Sequence, residues 1–257
     1  MEALIPLTQG YLLGLGRVLA LVMVAPVIGG PMVPGRVKIM LALALTTVCA
    51  GGSTLPAAPA GLSWLALALL LAKETAVGLG LGFTLVLALA AIQAAGDLLG
   101  FQMLFSLGNT FFPLTEEQSS LTGNWFYLLG LMVFLSLDGH HWLIRALAAS
   151  FRAVPVWSMP GGGGDVAWWL QQSGRLFVLG LQMSLPVLAA LVITNLSLGM
   201  IAKTMPQLNI FIVGMPVQVW VAFLLILLAL PPLLGAEAEV FKGWARETAG
   251  WIRQLAP

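Results

Sequence analysis

An all-α integral membrane protein with about six hydrophobic helical segments is the fold class that this sequence predicts. Three observations carry the prediction. Of 257 residues, 60% are apolar and 8% are charged, whereas a soluble domain carries roughly 25% charge. So few charges cannot cover a surface of this size in water. The apolar residues fall in runs near the ~20 residues that a spanning helix needs. Polar groups then sit inside two of those runs, Leu62–Gln93 with Lys73 and Glu74, and Arg175–Pro216 with Asn195, Lys203 and Met205-Pro206-Gln207-Leu208-Asn209-Ile210-Phe211. Such groups are costly in hydrocarbon, so they are expected to face protein or water.

The segments follow in order. Leu12–Ile28 contains Arg17. Val37–Cys49 is short and lies between Pro34 and Gly51-Gly52-Ser53. Leu62–Ile92 is long enough to cross with turns to spare. Trp125–Leu137 leads through Asp138-Gly139-His140-His141 to Leu147, and Leu176–Ile201 and Ile210–Leu230 complete the set. The N-terminus Met1-Glu2-Ala3 has no basic n-region, so the first segment reads as retained. Between the third and fourth segments, Gly96–Asn124 is too polar to span and too apolar for an exposed loop. Irregular backbone at membrane depth survives only beside protein or a water-filled cavity, so a re-entrant or pore-lining piece is expected.

Pro160-Gly161-Gly162-Gly163-Gly164 reads as a flexible connector between four N-terminal segments and a two-segment hairpin. Pro206, Gln207, Asn209 and Pro216 are expected to break that hairpin near its tip. Beyond Glu237, the residues Val240, Phe241, Trp244, Trp251, Ile252 and Leu255 share one helical face, with Glu237, Glu239, Lys242, Arg246, Glu247 and Arg253 around the rest. This is an amphipathic helix suited to a membrane surface or a partner. The tail and the long loop with Arg145, Arg152 and Arg175 share the side richer in Lys and Arg, which points to a cytoplasmic C-terminus; Arg36 and Lys38 argue the other way.

Function classes narrow in the same way. A net charge of +1 leaves no nucleic-acid footprint. The single Cys49 reads as a small buried hydrophobe. Asp138, His140 and His141 form the one acid/histidine cluster. Adjacent histidines are expected to point apart, unlike the i, i+4 ligands of a zinc helix, so neither catalysis nor a metal is assigned. Lys73 and Glu74, also adjacent, are expected to need separate partners rather than to neutralise each other. Gly78-x-x-x-Gly82 and Gly96-x-x-x-Gly100 suit close helix packing.

Ordered blocks along the chain carry a resemblance. They are Arg17-Val18-Leu19-Ala20 with Ala25-Pro26; Val33-Pro34-Gly35-Arg36-Val37-Lys38; Glu74 with Gly78, Gly82 and Phe83; and Ala95-Gly96 with Gly100, Gln102 and Met103. Gly139-His140-His141 follows, then Asn195-Leu196-x-Leu198-Gly199 and Pro206-Gln207-Leu208-Asn209-Ile210-Phe211 with Gly214-x-Pro216. In these the chain resembles, over essentially its whole length, the FliR family, the R-type subunits of the flagellar export gate, whose injectisome counterparts are the T-type proteins. It differs from the family pattern at Phe112-Pro113 (often Asp-Pro), Leu104 (usually Gly), Asp138 (commonly Asn) and Lys203 (usually Arg).

The resemblance implies one R-type subunit assembled with five P-type and four Q-type subunits, the switch protein FlhB nearby, and unfolded substrates passing through the centre. It implies stacked helical hairpins: a P-type-like part over 1–159, a glycine-rich linker at 160–165, a Q-type-like hairpin over 166–236 and the amphipathic helix over 237–257. It places a plug near 101–124, with Gln102, Met103, Asn109, Phe111, Phe112 and Pro113 closing the pore. Lys73, Glu74, Gly78, Gly82, Gly96, Gly100, Asn195, Pro206, Gln207, Asn209, Phe211 and Pro216 are then subunit-packing residues. No cofactor or enzymatic activity is implied, and the location is the inner membrane at the flagellar basal body. A small-solute transporter, an intramembrane enzyme using His140 and His141, and an injectisome subunit are the alternative readings.

Overall fold

The structure is a computed structural model and describes residues 4–31, 33–51, 63–103, 120–158, 166–205 and 210–255. These form helices α1 (Leu4–Val24), α2 (Gly35–Gly51), α3 (Trp64–Gln102), α4 (Leu121–Ser136), α5 (Gly139–Ala153), α6 (Val166–Thr204) and α7 (Ile210–Gln254), with no strand among the described residues. Three stretches, Trp64–Gln102, Ala167–Thr204 and Pro216–Gln254, are long and apolar enough to cross a membrane, and α4 with α5 makes a fourth if the bent pair counts as one. The protein is an all-α, multi-pass membrane protein.

The apolar stretch predicted from Trp125 to Leu147 divides at Asp138. This residue stands at φ 56°, the one non-glycine with positive φ among the described residues, and the chain turns by 69° there. Aspartate tolerates the left-handed conformation better than most residues. Two further boundaries differ from expectation. Pro216 lies inside α7 and does not break it; a proline removes one intrahelical bond, and the apolar residues that follow continue the helix. The tail is not a separate helix either, because α7 runs unbroken past Pro231 and Pro232 to Gln254.

The residues pack as two compact units. Unit 1 takes residues 1–87, 138–169 and 241–257; unit 2 takes 88–137 and 170–240. In unit 1, α1 crosses α3 with backbones almost in contact. A Cβ on Gly78 would collide with the carbonyl oxygen of Arg17, and one on Gly82 would press on Val24. Val18, Leu21, Leu81, Leu85, Leu147 and Phe151 fill the core around this crossing. The apolar face of the tail packs into this same core rather than onto a membrane or partner. Phe241, Trp244, Trp251, Ile252 and Leu255 are all buried, and the Trp244 indole N–H donates to Thr84 Oγ1 at 3.0 Å. Trp251 lies against Gly80 and stacks on Trp168 at 5.7 Å between ring centres. Cys49 is buried, as its apolar setting suggests.

In unit 2, the end of α3 meets α4 through glycines on both sides. Gly96 and Gly100 face Thr122, Phe126 and Ser120, and Gly130 faces Leu89 and Ile92. Both predicted small-residue spacings are therefore packing sites within this chain. The apolar stretches of α6 and α7 are only 28% and 17% buried, against 61% for α3.

Gly78→Ala is expected to destabilise the chain by more than the ~1 kcal/mol that alanine ordinarily gains over glycine in a helix, because the opposing group is backbone. Gly243→Ala, which meets nothing within 4 Å, is expected to be neutral or stabilising. Thermal unfolding of both variants in one detergent checks the contrast.

Candidate functional site

The most constrained chemistry in the chain is a buried charge cluster in unit 1. Arg17 and Glu74 are fully buried, and Arg17 Nε donates to Glu74 Oε2 at 2.6 Å. Arg17 turns its other two nitrogens to the C-terminal end of α5: Nη1 reaches Ser150 Oγ at 3.1 Å and Nη2 reaches the carbonyl of Val154, just past the helix, at 2.8 Å. Its guanidinium also lies 4.4 Å from the centre of the Phe151 ring, a cation–π contact. Lys73, with a side chain only 7% exposed, places Nζ 2.5 Å from Glu74 Oε1. The same Nζ donates to the carbonyls of Val156 and Ser158, both at 2.9 Å.

The expectation that Lys73 and Glu74 do not neutralise each other is therefore corrected. The long lysine stem curls back along the helix and brings the ammonium to its neighbour. The expectation of further partners holds as well, since Glu74 has Arg17 and Lys73 has the turn after α5. The whole arrangement does one job. The last carbonyls of a helix lack intrahelical donors and carry partial negative charge. Two cations cap the end of α5 and the turn beyond it, and one carboxylate between them limits their repulsion.

Unit 2 holds a second constellation that was not singled out from the sequence. Asp97 Oδ1, near the end of α3, accepts from Ser120 Oγ at 2.6 Å and from Ser120 N at 3.3 Å. Ser120 in turn caps α4, its Oγ accepting from Gly123 N at 2.9 Å. One carboxylate thus clasps the two ends of the segment predicted to hold the plug. An acid three residues from Gly100 and a distant serine offered no motif by which to find this pair. Nearby, Gln218 Nε2 donates to the Gln102 carbonyl.

The other predicted site residues are distributed as follows. Gln102 is half-buried, and Met103 is buried beside a cavity of about 280 Å³ lined by Trp125, Phe223 and Ile226 among others. Asn109, Phe111, Phe112, Pro113, Pro206, Gln207 and Asn209 lie outside the described residues, and Phe211 is described only as a backbone position in α7. Pro216 is exposed. Asn195 is half-buried and Lys203 exposed. Glu237, assigned from sequence to the polar face of the tail, is fully buried. Neither of its oxygens has a hydrogen-bond partner among the described residues.

His140 and His141 do not diverge as expected. Their rings lie 4.2 Å apart, and their nitrogens gather with Asp138 within 4.8 Å. The left-handed Asp138 turns its carboxylate back over the first turn of α5. Asp138 and His141 are exposed and His140 is half-buried, and none of the three lines the cavity beside Met103.

Residues 8–243 match the model of a protein family described as bacterial export proteins, family 1. The chain belongs to that export family. Its relatives carry the name flagellar biosynthetic protein FliR. The protein from Bacillus subtilis (strain 168) is 34% identical, the match covering 94% of this chain and 93% of the relative. That from Pectobacterium carotovorum subsp. carotovorum is 34% identical over 84% and 82%. That from Escherichia coli (strain K12) is 33% identical over 89% and 87%. The matched region of this export-family chain includes both the buried charge cluster and the Asp97–Ser120 clasp.

Removing one member of a buried ion pair costs about 3–5 kcal/mol, because its partner is left charged in the interior. Glu74→Gln is expected to show a loss of that size in chemical or thermal unfolding. Arg17→Lys is expected to recover little, since an ammonium cannot serve three directions in one plane. A double-mutant cycle between positions 17 and 74 is expected to give coupling above ~1 kcal/mol.

Proposed function

We propose that this chain is a non-enzymatic subunit of the flagellar protein export gate in the bacterial inner membrane, helping to form and to close the channel for unfolded export substrates. The observation that carries the reading is the contrast between its parts. Unit 1 is locked by a buried charge cluster, whereas α6 and α7 leave most of their apolar surface uncovered. On those helices Leu185, Ile193, Leu196, Trp220, Leu224 and Leu228 are exposed. Asn195 among them makes no side-chain hydrogen bond among the described residues. A polar side chain on an otherwise apolar face suits a neighbouring protein helix better than lipid. The export-family membership and the flagellar names of its relatives support the same reading.

In this reading the chain joins P-type and Q-type subunits, one copy with five and four of them, with FlhB close by. Residues 1–159 serve as the P-type-like part and 166–236 as the Q-type-like hairpin. Gln102, Met103, Asn109, Phe111, Phe112 and Pro113 close the channel at rest, because bulky apolar groups at a constriction exclude water and ions. The Asp97–Ser120 clasp fixes the two roots of that segment, so closure and opening are changes within it. Asn195, Pro206, Gln207, Asn209, Phe211 and Pro216 face the neighbours. The chain has no phosphate-binding loop, so the energy for transport comes from elsewhere in the machine.

Native mass spectrometry of the tagged chain co-expressed with its P- and Q-type neighbours is expected to show one copy in a large hetero-oligomer. A monomer or homodimer indifferent to them overturns the assignment. Replacing Phe111 and Phe112 with glycine is expected to raise ion conductance through the assembled gate in a planar bilayer. Unchanged conductance removes these two residues from the plug.

A further inference from the structure

A groove of about 710 Å³ lies in unit 1 between α5 and the end of α7, within the ~300–1,000 Å³ usual for small-molecule sites. Arg145 and Arg152 from α5 and Arg253 from α7 line it. None of the three forms an ion pair among the described residues. Three exposed arginines converging without an acid between them repel one another unless an anion is present. Thr248 also lines the groove. It is 2% exposed, yet its Oγ1 has no hydrogen-bond partner among the described residues. A buried hydroxyl without a partner is uncommon and costly. Its oxygen has almost no surface open to the groove, so the arginines carry the charge recognition.

The rest of the lining is apolar. Trp142 and Ala149 form one wall, and Trp244 and Ala245 the other. Both walls are helices whose own backbones are already hydrogen-bonded, so they give an extended peptide nothing to pair with. An alkyl chain needs only contact. The anion therefore has an apolar tail, and the apolar solvent of a membrane protein supplies that combination.

We propose that this groove is a binding site for an anionic phospholipid. Its phosphodiester pairs with Arg145, Arg152 and Arg253, and one acyl chain lies between α5 and α7. Anionic headgroups concentrate at the membrane surface, where basic side chains meet them. Each basic residue near such a surface contributes about fivefold in affinity. The proposal does not depend on the export-gate reading.

The test is native mass spectrometry of the purified full chain in a neutral detergent, titrated with dioleoyl phosphatidylglycerol or dioleoyl phosphatidylcholine. The expected result is a one-to-one phosphatidylglycerol adduct, at least tenfold tighter than that of phosphatidylcholine. It is expected to weaken tenfold or more in the triple variant Arg145→Gln, Arg152→Gln, Arg253→Gln. The milder double variant Arg145→Gln, Arg253→Gln is expected to weaken it severalfold, and it decides the matter should the triple variant fail to fold. Equal affinity for the two lipids overturns the proposal, as does an adduct unaffected by these substitutions. Displacement by inorganic phosphate at a concentration equal to the lipid's also overturns it, since the acyl chain then contributes nothing. Absence of any phosphatidylglycerol adduct overturns it as well.

Discussion

The fold of unit 1 depends on the pairing of Arg17 with Glu74. Without it, α1 and α3 could not cross so closely at Gly78, because two ionisable groups would be left alone in the interior. With it, the pair does more than cancel charge. Arg17 extends to Ser150 and the Val154 carbonyl, so one side chain ties α1, α3 and the end of α5. Lys73 extends the tie to the turn after α5. A hydrophobic isostere of the pair would fill the volume but would leave the helix-end carbonyls without donors. Buried ion pairs are weak general stabilisers; this one is retained because it also solves a backbone problem.

The sequence made some of this visible. Helix class, approximate segment positions and the need of Lys73 and Glu74 to face protein all follow from the cost of charge in hydrocarbon. Arg17 stood inside an apolar run, but nothing local connects it to a carboxylate at position 74. That pairing is tertiary. The small-residue spacings indicated close packing without naming the partner, which proved to be this chain's own α1 and α4.

The misreadings have physical causes. The tail looked like a surface helix because its aromatic face is one-sided, and periodicity cannot distinguish a membrane, a partner and the chain's own core as the thing covered. Glu237 looked solvated for the same reason. Ordinary helical geometry separates Asp138, His140 and His141, and the left-handed conformation of Asp138 brings them together. Asp97 and Ser120 are too common as residue types, and too far apart, for any pattern to single them out. Pro216 does not break α7, since one lost hydrogen bond is small beside the cohesion of a long apolar helix.

The clasp between Asp97 and Ser120 has a consequence for variation among related chains. It closes the intervening segment at its roots, so the helices beyond do not register how much chain lies between. The entropy of closing a chain segment grows slowly with its length, each doubling costing only ~0.6 kcal/mol. Insertions and deletions there are thermodynamically cheap as long as the carboxylate and the capping hydroxyl stay in place. The chain between can thus change in length while its attachment points are fixed by one hydrogen-bonded pair.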